Sequence, residues 1–217
     1  MTLSLREATQ QDVAAIARIS AAAFHPTTDA ITRQLFPLGL KPEDAQDGEA
    51  AYHWRAARKS NSMHSKRTAM IVAVDDSLDG EVVGFALWES PAGPEDAVEV
   101  AHKEPEPPAA LDRAAFAEMK SIVSADATET FGERGMKDVW HLDYIGIEPK
   151  HQRRGIGRML LEWGIKHAEK DDRECYLVAT PAGRPLYLAY GFEDVRTLQI
   201  FGVPHSSMIL RRRSAKV

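Results

Sequence analysis

Residues 141–170 read HLDYIGIEPKHQRRGIGRMLLEWGIKHAEK. The hydrophobic period changes within this stretch. An apolar run ends before Pro149, a residue that cannot donate to a sheet ladder. A basic turn follows, Gln152-Arg153-Arg154-Gly155-Ile156-Gly157. Beyond it, Gly157, Leu160, Leu161, Gly164, Ile165 and Ala168 recur at helical spacing, with Glu162 and Lys166 paired on the outer face. The chain must therefore fold here as strand, tight turn and helix. Its glycines stand at a helix N-terminus, where unpaired N–H groups and the helix dipole favour an anion. Glycine also lets a phosphate approach the backbone with no Cβ in the way. Arg153, Arg154 and Arg158 add positive charge. A P-loop would need Lys-Ser/Thr after the last glycine, but Arg158-Met159 stand there; a dinucleotide fingerprint would need a small residue where Leu160 stands.

The rest of the chain bounds what such a turn can serve. Its 217 residues suit a single domain over 1–217, and 44% hydrophobic residues are enough for a core. The net charge of −5 argues against a nucleic-acid binder, so the anion site is a local basic feature of an acidic protein. One cysteine, Cys175, excludes an internal disulfide framework and fits a reducing compartment. No stretch reads as a secretory signal or a membrane span. A cytoplasmic location is expected; a nuclear one stays open, because the terminal RRRSAK reads either as a nuclear signal or as a solvated tail.

Leu3 and Leu5 predict a short strand, and 9–24 a helix with Thr9 as N-cap. Three prolines make 24–44 a loop or broken helix that would suit a substrate-side lid. A helix is expected over 43–62, a hairpin over 68–90, and a Pro- and acid-rich excursion from 91 leading into an extra helix that ends near 132, the whole insertion spanning about 91–137. Strands at 139–147 and 175–180, a short helix up to Phe192, and closing strands near 197–201 and 206–212 complete the order. The fold class is α/β, with a mixed sheet.

LDYIGIEPKHQRRGIGRMLL resembles the strand, pyrophosphate loop and helix of GNAT superfamily N-acetyltransferases, and CYLVATPAGRPLYLAYGFEDV is similar to the second half of the same motif. The resemblance implies a strongly twisted sheet of about six or seven strands flanked by helices. It also implies acetyl-CoA as co-substrate, with no metal. Gln152, Arg153, Arg154, Gly155, Ile156, Gly157 and Arg158 would hold the pyrophosphate, largely through backbone N–H groups. The pantetheine arm would bond the strand backbone at Ile145, Gly146 and Ile147. Thr180 stands where many members have Asn. Gly146 is consistent with a bulge or a close approach.

Acetyl transfer to an amine needs a base, an oxyanion donor and an acid for the departing thiolate. By resemblance, the Ile145 N–H is the oxyanion donor and Tyr187 the acid, with Tyr187 also a cofactor contact. His141 and Asp143, two apart on a strand, share a face and are the candidate base pair; Glu89 and a relaying water are alternatives. His25, His53 and His64 show no metal-ligand spacing. Trp88 and Trp140 read as core or as an acceptor-pocket lining. Abundant acids (Glu43, Asp44, Asp47, Glu49 and 95–106) favour a cationic amine acceptor, either a small molecule or a peptide. A non-catalytic acyl-CoA-binding module is the other reading. Monomer and homodimer both stay open.

Overall fold

The computed structural model describes residues 2–43, 48–93 and 105–212. The period-two runs become strands: β1 (Leu3–Glu7), β2 (Thr68–Asp75), β3 (Glu81–Glu89), β4 (Trp140–Ile147), β5 (Cys175–Ala179), β6 (Glu193–Ile200) and β7 (Val203–Leu210). They form one mixed seven-stranded sheet in the order β1-β2-β3-β4-β5-β7-β6. Every neighbouring pair is antiparallel except β4 and β5, which are parallel. The parallel pair requires a crossover, and α5 (Ile156–Lys170) supplies it, over the span that the apolar spacing predicts.

Two apolar layers sandwich the sheet. On one side, Ile156, Leu160 and Leu161 of α5 pack on Ile71, Val83, Ala86 and Trp88. Gly164 makes this approach possible: a Cβ there would lie 2.1 Å from the Trp88 indole. On the other side, Ile16 and Ile19 of α1 (Val13–Ala23) pack on Met70, Val72, Val82, Phe85 and Leu87. α3 (Glu49–Ser62) lies against α1. The broken helix expected near residue 30 is the short α2 (Ala30–Leu35). The extra helix is α4 (Arg113–Phe131), begun by Asp112, whose carboxylate accepts the N–H groups of Ala114 and Ala115 at 3.0 Å. Leu35, Trp54, Leu111 and Ala115 bind α2, α3 and α4 into a third cluster. α6 (Arg184–Ala189) follows β5.

Thr9 does start the first helical segment: its N–H donates to Asp12 Oδ2 at 2.7 Å, and one 3-10 turn (Gln10–Asp12) precedes α1. Most of the Pro- and acid-rich excursion (94–104) and the terminal run from 213 lie outside the described residues. Arg211 and Arg212 are paired with Glu174 and Asp172. No described helix is long and apolar enough to cross a membrane.

Candidate active site

The parallel seam between β4 and β5 is incomplete. Only Trp140, His141 and Leu142 pair with β5, opposite Cys175, Tyr176 and Leu177. β5 continues to Ala179 along β7, while β4 continues to Ile147 along β3, so the two strands part company. Glu148 N–H is bonded to Val83 O, and alternation then aims the N–H groups of Gly146 and Tyr144 at β3. Ile145 and Ile147 present theirs to the opposite edge, where no β5 residue is paired with them. Gln152 Nε2 reaches the Ile147 carbonyl at 3.5 Å.

Of the bulge or close approach expected at Gly146, the close approach is found there and the bulge lies at Asp143. Leu87 pairs with Tyr144 and Trp88 with Leu142, leaving Asp143 as the extra residue. The reason lies in packing. Leu142, Ile145 and Ile147 belong to the α5 side, and Tyr144 to the α1 side. A regular strand would put Leu142 and Ile145, three apart, on opposite faces. Gly146 serves the close approach: a Cβ there would meet Phe85 Cε1 at 2.7 Å.

The bulge gathers the candidate bases. His141 is buried, with Nδ1 3.4 Å from Glu89 Oε2, so the two alternatives for the base are neighbours. The His141 hydrogen bond holds the Glu89 carboxyl below its usual range. Burial alone would lower His141, but Glu89 and Asp143 outweigh it and raise it. Asp143 is exposed; desolvation by the surrounding protein raises its carboxyl, and the His141 charge opposes that rise. Behind His141 stands Tyr176, fully buried, with ring centroids 5.7 Å apart. Its hydroxyl donates to Asp126 of α4, whose other oxygen receives Arg196 Nη1 at 2.5 Å. Sequence reasoning missed Tyr176 and Asp126, which lie 50 residues apart with no shared motif.

The glycine turn is placed as expected at the start of α5. Gly155 is its N-cap with φ 84°, and Arg153 also has a positive φ of 64°, a strained conformation for a residue with a Cβ. The N–H groups of residues 155–158 have no protein acceptor among the described residues, because the first bond of the helix runs from Met159 N–H to Gly155 O. Arg153 and Arg158 are exposed at the turn. Arg154 turns away: Nη2 contacts Asp75 Oδ2 at 2.5 Å and Nη1 lies 2.7 Å from His151 Nδ1. Ile156 is buried, and Gly84 makes room for it, since a Cβ there would be 2.8 Å from Ile156 Cγ2.

Tyr187 of α6 is buried, and burial raises its hydroxyl, keeping it protonated. Thr180 Oγ1 accepts the Gly183 N–H at 3.1 Å and so shapes the entry to α6. The Cys175 thiol is buried and pushed up to about 12. Trp88 and Trp140 are core: Trp88 Nε1 donates to Leu160 O at 3.3 Å and Trp140 Nε1 to Asp171 Oδ2 at 3.0 Å. Among the described residues no His, Cys, Asp or Glu group is arranged to hold a metal ion.

Comparison with known proteins agrees with this geometry. An acetyltransferase from Stachybotrys chartarum is 28% identical over 203 residues, covering 91% of this chain and 83% of its own length. A Corynebacterium glutamicum structure described as histone acetyltransferase HPA2 and related acetyltransferase superposes with a TM-score of 0.62 at 22% identity, over 100% of both chains. The Thermoplasma acidophilum PaiA N-acetyltransferase, solved in complex with coenzyme A, gives 0.53 at 14% identity, over 98% of this chain and 100% of that one. The family model for the GNAT acetyltransferase domain matches residues 89–211, from the end of β3 through the glycine turn to β7. That is more than half of the chain, and with the open seam and the N–H-rich helix start it places this protein in the GNAT acetyltransferase family.

Proposed function

We propose that this protein is an acetyl-CoA-dependent N-acetyltransferase that passes the acetyl group directly to an amine. The observation that carries the reading is a pair of N–H rows that have no protein acceptor among the described residues. One row is Ile145 and Ile147 on the open edge of β4; the other is residues 155–158 at the start of α5. The first suits the amide-bearing arm of the co-substrate and the second its pyrophosphate. The acetyl group would then lie beside Asp143, within reach of His141 and Glu89.

His141, backed by Glu89, takes the proton of the incoming ammonium. The freed amine attacks the thioester carbonyl carbon. The Ile145 N–H holds the charge that develops on the carbonyl oxygen. The carbon–sulfur bond breaks, and Tyr187 donates its proton to the thiolate. The nitrogen loses its second proton to solvent as the amide forms, Tyr187 regains a proton from solvent, and His141 releases its own. Transfer through an enzyme thioester is disfavoured by Cys175, whose thiol is buried and stays protonated.

The test is ligand-dependent stability together with turnover. Acetyl-CoA at millimolar concentration should raise the thermal midpoint, and free thiol should appear only when an amine is added. Gly157→Asp should abolish the shift by opposing the pyrophosphate while leaving the apoprotein folded. No shift with wild-type protein would overturn the reading of the turn. A shift with no thiol released from any amine would favour the non-catalytic acyl-CoA-binding module.

A further inference from the structure

α3 places Arg55, Arg58 and Lys59 on one face, three and four residues apart. Two of these cations have evident occupations. Arg55 Nη1 donates to the carbonyls of Ser20 and Phe24 at 3.2 and 3.3 Å, and Nη2 to Thr32 Oγ1, tying α3 to α1 and α2. The Arg58 guanidinium lies over Trp54 and Phe116, 5.0 and 5.6 Å from their ring centroids. Arg67, whose charge also acts on Glu89, donates to the Ser90 carbonyl at 2.9 and 3.0 Å.

Lys59 differs. It is 3% exposed, and its Nζ stands 3.9 Å from the Tyr144 ring centroid and 5.2 Å from that of Phe85. Neither a hydrogen-bond acceptor nor an ion-pairing carboxylate reaches it from the described residues. Two ring faces compensate a buried ammonium only in part. An ammonium so placed is complementary to an anion. Burial above all, then the Arg55 charge, pushes the amine down to about 7, against the charge of Asp143. An anion at Nζ would hold it charged.

The position of Lys59 matters as much as its burial. Tyr144, under Lys59, is the next residue after Asp143, the carboxylate beside the candidate bases. An amine directed at Asp143 and His141 and an anion directed at Lys59 are therefore separated by one residue of β4. A small molecule carrying both groups spans such a gap. Resting on the N-acetyltransferase reading, we propose that the acceptor is an amino acid, whose carboxylate pairs with Lys59 while its amine faces His141 and Asp143. This reverses the expectation of a cationic acceptor. Of the acids behind that expectation, Asp44, Asp47 and nearly all of 95–106 lie outside the described residues.

The experiment compares glycine, β-alanine, alanine, methionine and phenylalanine with their primary amides. Each is scored by CoA release from acetyl-CoA and, separately, by the thermal shift it causes. The amide of each pair has the less basic amine, so loss of charge alone would favour the amide. Wild-type protein should prefer at least one acid, with a gap of roughly 10- to 100-fold expressed mainly in KM, the range of one charge-assisted hydrogen bond. Lys59→Met, which keeps the apolar stem, should bring the ratio towards one, and Lys59→Arg should largely restore it. Amides used as well as acids, or a preference that survives Lys59→Met, would overturn the carboxylate site while leaving transfer intact. Acids that shift the wild type but not Lys59→Met, with no CoA released, would uphold the site and refute transfer. Acids and amides that neither shift nor react would overturn the site as well.

Discussion

His141 Nδ1 and Glu89 Oε2 stand 3.4 Å apart across paired positions of β4 and β3, and each holds the other towards its charged form. A base must be neutral to accept a proton, and His141 is raised above its ordinary value of ~6.5. The ascending limb of kcat/KM should therefore lie above that pH. Glu89→Gln removes a charge that raises His141, so the limb should move to lower pH. His141→Gln should remove the limb and cost ~10²–10⁴-fold in rate. If pH profiles of both variants superpose on the wild type, the base lies elsewhere.

Tyr187 should act through its hydroxyl alone. Burial keeps that hydroxyl protonated well beyond neutral pH. Tyr187→Phe should lower kcat by ~10²-fold or more, the range of general-acid assistance, with acetyl-CoA affinity little changed. Steady-state kinetics beside equilibrium binding decides the matter. A loss confined to affinity would make Tyr187 a cofactor contact, and no loss would make it a packing residue.

Arg154 couples the glycine turn to β2 through Asp75, so Asp75→Asn should loosen the turn. The Asp75 carboxyl is held down to about 2, first by the Ser77 hydroxyl and then by Arg154. A depressed folded value means that its stabilising contribution is present above the unfolded value of ~3.9 and is lost as pH falls through the folded one. The midpoint gap between wild type and Asp75→Asn should accordingly be full at pH 7 and close towards about pH 2. Weaker acetyl-CoA binding should accompany it. Equal midpoints at pH 7 would show that the contact contributes nothing.

Two glycines of α5 should respond oppositely to alanine. A methyl at Gly164 would lie within 2.1–2.4 Å of Trp88 atoms, and the indole is fully buried. Overpacking of this kind costs about 1–3 kcal/mol. At roughly 2–4 °C per kcal/mol for a chain of this size, calorimetry resolves it. At Gly157 the nearest atoms would be 3.4 and 3.5 Å away, an ordinary contact. Gly157→Ala should leave the apoprotein midpoint equal or higher, because alanine restricts the unfolded chain. A Gly164→Ala midpoint matching the wild type would show that the Trp88 ring can shift.

The strand–turn–helix unit was legible because each of its boundaries is a local chemical event: Pro149 ends pairing, Gly155 takes a positive φ, and the stripe from Gly157 to Ala168 has a helical period. The seven strands were legible for the same reason. What escaped depends on partners remote in sequence. Arg154 looked like part of the anion site, and its engagement with Asp75 spans 79 residues. The bulge at Asp143 has no glycine to announce it, being set by the need to bury Leu142 and Ile145 on one side. Lys59 was within reach: Ala51, Trp54, Arg55, Arg58 and Lys59 fall on the buried stripe of α3, where a lysine is out of place.

The three paired positions between β4 and β5 give this sheet a raw edge in its interior. Edges normally lie at the rim, where they invite other chains. Here the edge is recessed, with Ile145 and Ile147 half-buried, so another protein's strand has no easy approach but a thin flexible arm does. Amide exchange should record this as an alternation along a single strand: Ile145 and Ile147 exchange quickly, Tyr144 and Gly146 slowly. Acetyl-CoA should erase the difference, acting as the strand the sheet leaves out; uniform protection without ligand would show that the edge is already closed.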